Sequence, residues 1–147
     1  MTIVPEDGAR HVSTKEKLTY EECERYLPLR DGDVVFCPSV YDGDSFRICF
    51  IDHHGNKVKI MGRLSGVDTA ELDGSSEKEK SLALRAKKRL ADAVADKFIT
   101  IRAPGVEKFG RSLSDVEVDG IKSVTGYMLA DPEICVPYKG GKKRSWD

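Results

Sequence analysis

Three short segments of this sequence carry side chains that could act together on a phosphate. In Gly62-Arg63-Leu64-Ser65-Gly66-Val67-Asp68-Thr69-Ala70-Glu71, one arginine precedes two carboxylates, five and eight positions on. Asp42-Gly43-Asp44 puts two carboxylates on a tight turn, and Lys108 and Arg111 share a Gly-containing loop. Carboxylates from separate segments, with a backbone carbonyl, are the oxygen donors that a hard cation such as Ca²⁺ takes. Two guanidinium groups can grip phosphate oxygens bidentately and stabilise the charge that grows as a phosphodiester becomes pentacoordinate. A remaining carboxylate can align or deprotonate an attacking water.

The elements that must position these groups read mostly as β. Val34-Val35-Phe36-Cys37 is an apolar run, and Ser39-Val40 leads into the Tyr41–Asp44 turn. Ser45 to Asp52 alternates, with Phe46, Ile48 and Phe50 on one face, and Lys57 to Met61 alternates again before running into Arg63. These make a meander of three antiparallel strands. Ser76-Glu77-Lys78-Glu79 is a capping box, and Leu82, Ala86, Leu90 and Val94 then recur at helical spacing, predicting a core-facing helix of about twenty residues. Phe98–Arg102 and Leu113–Val118 read as two more strands, Asp119-Gly120 as a turn, and Ile121 to Ala130 as a second short helix. Three strands, a long helix, then two strands is the order of an α+β, five-stranded OB-fold barrel with its helix between strands three and four. Residues 1–30 form an N-terminal extension ahead of the domain at 31–147. In it, Met1 to Lys17 reads as irregular, and the Thr19–Glu22 capping box predicts a short helix to about Tyr26, stopped near Pro28. Beyond Pro132 the chain reads as a loop ending in Trp146, a packing anchor for the tail.

Composition bounds the reading. With 147 residues, 39% hydrophobic and 33% charged, the chain is one ordinary domain's worth. It lacks an apolar run of the ~18 residues a membrane span needs. Met1 to Arg10 carries Asp, Glu and Pro and no apolar core, which predicts an intracellular protein without a secretory signal. Net charge is −1, too small to hold nucleic acid by bulk electrostatics, although Lys139, Lys142, Lys143 and Arg144 make the tail basic. Cys23, Cys37, Cys49 and Cys135 show no metal-ligand spacing and read as reduced thiols rather than a disulfide framework.

In order and separation, Asp42-Gly-Asp-Ser45, Arg63-Leu-Ser-Gly-Val-Asp-Thr-Ala-Glu71 and Glu107-Lys-Phe-Gly-Arg111 resemble the staphylococcal nuclease (thermonuclease) family. That family's pattern is D-G-D-T, then R-L-x-G-x-D-T-P-E, then D-K-Y-G-R, and the likeness runs from about Val34 to Tyr138. The resemblance implies Asp44, Asp68 and the Thr69 carbonyl as Ca²⁺ ligands, with Asp42 in an outer shell. It implies Glu71 as general base or water-positioning group, and Arg63 and Arg111 as a clamp on the scissile phosphate. Lys108 and Phe109 would hold the substrate's terminal phosphate and base, and Tyr138 would stand near the nucleotide. The implied activity is hydrolysis of DNA or RNA, with little sequence preference, leaving 3′-phosphate ends; the implied protein is a monomer whose partner is its substrate. Four positions depart from the pattern: Ser45 for Thr, Ala70 for Pro, Glu107 for Asp and Phe109 for Tyr. Ala70 frees a φ constraint on the loop that presents Glu71.

Plainer readings stand beside these. Asp-Gly pairs are usually turns and nothing more, which suffices for Asp73-Gly74. Arg63 could form a structural ion pair with Asp68. His53 and His54, adjacent in a turn, point apart and read as exposed turn residues. A catalytically weak or inactive nucleic-acid-binding module on the same barrel is the competing function; such a copy would be expected to lose its carboxylates or arginines, and Asp44, Arg63, Asp68, Glu71 and Arg111 are all present. A remoter alternative is an inhibitor or assembly protein that makes its contacts through Met1 to Pro28.

Overall fold

Alternation of apolar and polar residues builds a closed barrel, which the computed structural model describes over residues 15–146. Strands β1 (Val34–Cys37), β2 (Val40–Asp42), β3 (Ser45–Ile51) and β4 (Lys57–Leu64) come first. After the short β5 (Val67–Asp68) comes helix α1 (Glu77–Val94), then β6 (Lys97–Val106), β7 (Ser112–Glu117), helix α2 (Val124–Leu129) and the short β8 (Val136–Pro137). The main sheet runs β1-β6-β7-β4-β3-β2, and β1 also meets β3 at Phe36↔Cys49, closing five strands on themselves. Its neighbours are antiparallel except β4 and β7, which run parallel with Arg63 opposite Leu113.

The two periodicities place the core. In β3, Phe46 and Ile48 point inward and Arg47 outward, as a period of two requires. In α1, Leu82, Ala86, Leu90 and Val94 are all buried against the barrel, and Leu29 and Trp146 complete the same cluster. Burying each of the larger aliphatic side chains stabilises the fold by about 1.5–3 kcal/mol. Ser76 caps α1 by accepting a hydrogen bond from the Glu79 amide at 3.0 Å, and Glu77 and Glu79 complement the helix dipole. The small α+β barrel with two helices is therefore the one the pattern predicts. The long helix has 18 residues.

Four details differ from the sequence reading. Thr19 and Glu22 do exchange their capping-box hydrogen bonds, but Tyr20–Cys23 forms a turn and not a helix. Residues 15–26 are exposed throughout, so no packing offsets the cost of nucleating a helix. The first part of the predicted extension, residues 1–14, lies outside the described residues. Val40–Asp42 is a strand of its own, paired with β3, rather than a lead-in to the turn. The His53 and His54 rings do not point apart; their centroids are 4.0 Å apart in a tilted contact. The fourth difference matters most to the site. Asp68, expected in a loop, lies on β5, which pairs with β8 of the tail through Val67↔Pro137 and Asp68↔Val136. Two-residue strands carry no period to read.

All four cysteines are free, with Cys37 and Cys135 buried. Among the described residues no helix is long and apolar enough to cross a membrane.

Candidate functional site

Strand register gathers the charged groups at one end of the barrel. The β3–β4 ladder sets Ser45 opposite Arg63, which places Arg63 beside the turn that carries Asp44. Arg63 Nη1 lies 2.9 Å from Asp44 Oδ2, while Nη2 donates to the Val67 carbonyl at 3.0 Å. Both partners are buried. Arg63 thus pairs with Asp44, and not with Asp68 as its plainer structural reading had it. Arg111 leads into β7, next to β4, and donates through Nη1 to Ser45 Oγ at 3.2 Å; Ser45 Oγ donates in turn to Asp44 Oδ1 at 3.1 Å. A single relay, Arg111–Ser45–Asp44–Arg63, joins the three sequence segments.

Each segment has a local reason for its shape. Gly43 lets the Asp42–Asp44 turn press onto α1, since a Cβ there would stand 2.5 Å from Ala86 Cβ and 2.8 Å from Thr69 Oγ1. The turn is closed by the Asp44 amide donating to Asp42 Oδ1 at 3.1 Å. The Glu107–Arg111 turn winds around one carboxylate. The amides of Phe109 and Arg111 each donate to Glu107 Oε1 at 3.0 Å, and Arg111 Nη2 donates to Glu107 Oε2 at 3.1 Å. That grip holds the Glu107 carboxyl below its ordinary range, the Arg111 side chain being the chief cause. Lys108 and Phe109 ride the tip of this turn, with Lys108 Nζ 5.0 Å from the centre of the Phe109 ring, which is 74% exposed.

Asp68, Thr69 and Ala70 are buried, and the Glu71 side chain that follows is 54% exposed. Lys143 from the tail reaches both acids, its Nζ 3.4 Å from Asp68 Oδ1 and 3.6 Å from Glu71 Oε1. Tyr138 is held by its amide to the Gly66 carbonyl at 2.9 Å and by its hydroxyl to the Gly141 carbonyl at 2.8 Å. Arg63, Lys108, Phe109, Arg111, Tyr138 and Lys143 all line one groove of about 770 Å³.

The electrostatics follow from burial. Asp42 is pushed up to about 7, first by burial, then by the neighbouring Asp44 charge and, more weakly, by Glu71. The buried Cys135 thiol is pushed up to about 12, first by burial and then by the Asp44 and Asp68 charges. Burial works against the Lys143 ammonium, yet Asp68 and then Glu71 hold it above its usual range.

Could these residues hold a hard cation? Among the described residues no three His, Cys, Asp or Glu side chains form a metal-ligating group. The set expected for Ca²⁺ needs only two carboxylates, Asp44 and Asp68, with the Thr69 carbonyl; water would supply the rest of a shell of about 6–8 oxygens. Asp68 Oδ1 and Thr69 Oγ1 are buried without a hydrogen-bond partner among the described residues, although Lys143 Nζ stands 3.4 Å from the Asp68 oxygen. The donor chemistry fits.

Sequence reasoning passed over Ser45 as a link between the arginines, and over Lys143, which it counted as one charge of a basic tail. The signals that could have found Lys143 are Gly140-Gly141, at φ 93° and 85°, which turn the tail back, and Trp146, which anchors it in the core. No family model matches the chain, and no curated protein is significantly similar to it.

Proposed function

We propose that the chain is a calcium-dependent nuclease that hydrolyses phosphodiester bonds of DNA or RNA and leaves 3′-phosphate ends. One observation carries the reading: two arginines, one on β4 and one in the turn before β7, tied through Ser45 and Asp44, line the same groove as an exposed aromatic ring. The barrel is read as an OB-fold, supported by the position of α1 after β4 and β5 and before β6. OB-folds characteristically present oligonucleotide-binding grooves, and that analogy supports the substrate class without settling it.

In this account Arg63 and Arg111 grip the oxygens of the scissile phosphate and stabilise charge as it accumulates there. Glu71, the acid on the exposed side of the buried Asp68–Ala70 run, aligns water and accepts its proton. The water oxygen bonds to phosphorus, the bond to the 5′ oxygen breaks, and that oxygen takes a proton from solvent and leaves as a hydroxyl. Asp44, Asp68 and the Thr69 carbonyl would hold Ca²⁺, which when bound neutralises phosphate charge. Phe109 offers a face for stacking a base, and Lys108 beside it offers charge to a phosphate.

The second reading is an inactive module that binds nucleic acid. The ion pairs of Asp44 with Arg63 and of Asp68 with Lys143 favour it, because both carboxylates are already matched by cations. The two readings separate when an end-labelled single strand is incubated with Ca²⁺, Mg²⁺, Mn²⁺ or EGTA. The nuclease cuts with Ca²⁺, stops in EGTA, and leaves ends that a 3′-phosphatase alters. A folded protein that binds the strand and cuts with none of the metals is the module.

A further inference from the structure

Lys143 holds a position that its place in a basic tail does not explain. The Asp68 side chain is 2% exposed, and its Oδ1 has no hydrogen bond among the described residues. A carboxylate so buried requires a countercharge. Arg63, the nearest candidate in sequence, gives its guanidinium to Asp44 and to the Val67 carbonyl. Lys143 Nζ stands 3.4 Å from Asp68 Oδ1 and 3.6 Å from Glu71 Oε1.

The tail is built to deliver that ammonium. β8 pairs with β5, so the tail starts beside Asp68 itself. Gly140 and Gly141 take positive φ, which favours glycine, and the Tyr138 hydroxyl donates to the Gly141 carbonyl to hold the turn. Trp146 is buried in the core, with the Arg144 guanidinium 4.4 Å from its ring centre. The segment is pinned on both sides of Lys143. The Lys143 side chain itself remains 45% exposed, so it can leave without unfolding the tail.

We infer that Lys143 is a built-in counter-cation, standing between Asp68 and Glu71 in the metal-free protein and opposing divalent-cation binding there. An ammonium and a dication cannot share one carboxylate oxygen at contact distance without strong repulsion. Entry of the ion must therefore expel Lys143, and the pair lost with Asp68 is subtracted from the ion's affinity. Expulsion also frees Glu71. The same residue thus keeps a metal ligand and the proposed base occupied until the ion arrives. The inference rests on the calcium reading of Asp68 given above.

Calorimetric titration of the full metal-free chain with Ca²⁺ tests it, using wild type, Lys143→Met and Lys142→Met, with circular dichroism to confirm folding. Lys142 is an exposed tail residue, so its substitution makes the same change in net charge away from the Asp68 contact. Lys143→Met is expected to bind Ca²⁺ about five- to tenfold more tightly, and Lys142→Met within about twofold of wild type. Lys143→Gln, which keeps a polar tip, gives the same gain where the Met variant folds poorly. Equal or weaker affinity in the Lys143 variants overturns the inference while leaving the calcium site standing. An equal gain in Lys142→Met also overturns it, reducing the effect to net charge. Absence of binding in all the proteins overturns both the inference and the calcium reading.

Discussion

Two sets of buried residues in this barrel are held in place by different physics. Around α1 the contacts are apolar: Leu82, Ala86, Leu90 and Val94 meet Phe46, Ile48 and Ile99 in one core. At the mouth, Asp42, Asp44, Ser45, Arg63, Asp68 and Thr69 are buried as well, but they are polar or charged. Burial is favourable for the first group and costly for the second unless every charge is matched. A change in the apolar set costs packing, whereas the charged set depends on pairings that fail one partner at a time. Stability gathered in the apolar set supports the charge held out of water in the other.

Breaking the mouth has the largest expected effect. Arg63→Ala leaves Asp44 buried without its cation and removes half of the proposed phosphate clamp. We expect cleavage to fall about 10³-fold and stability by about 3–5 kcal/mol, read by strand cleavage and by urea unfolding. Leu90→Ala tests the apolar set. It is expected to cost about 2–5 kcal/mol in the same unfolding experiment while activity at low temperature stays near wild type. If the two variants lose activity equally, the division between the two sets is wrong.

Gly43→Ala probes the joint between them. The added Cβ meets Ala86 and Thr69, so the turn bearing Asp42 and Asp44 must shift; a loss of about 1–3 kcal/mol is expected, with a larger relative loss of cleavage.

A pH series in EGTA then isolates Asp42. Its carboxyl is pushed up to about 7, so in the acidic range up to that value the folded protein keeps a proton that the unfolded chain has released. The resulting stability is complete below the ordinary carboxylate range and is lost as pH rises through about 7. Asp42→Asn should flatten this fall; an unchanged melting-temperature profile would contradict it. Phe109→Ala gives the smallest effect, about a tenfold rise in KM with no change in melting temperature, because the ring packs on solvent.

The same division governs what could be read in the sequence. The apolar set was legible because periodic burial writes itself into residue order: the i, i+4 stripe of α1 and the alternation of β3 both emerge where expected. The Asp42, Arg63 and Arg111 segments were legible as chemistry, but their pairings were not. Arg63 faces Asp44 because of strand register, and nothing in the spacing of Arg63 and Asp68 encodes that choice. Lys143 lies 75 positions after Asp68 and meets it through a two-residue strand pair. The Thr19–Glu22 box shows the converse: its local hydrogen bonds form without a helix, because capping bonds alone do not supply a packed face.

The central claim is that the charged mouth cuts a phosphodiester and does not merely bind one. Single-turnover cleavage of a labelled strand by wild type and by Glu71→Ala, with strand binding measured on the same samples in Ca²⁺, addresses it most directly. The account predicts that Glu71→Ala binds the strand as wild type does and cuts it at least about 10²-fold more slowly. Equal cutting by both proteins would remove Glu71 from the chemistry, and binding without cutting by wild type would contradict the claim itself.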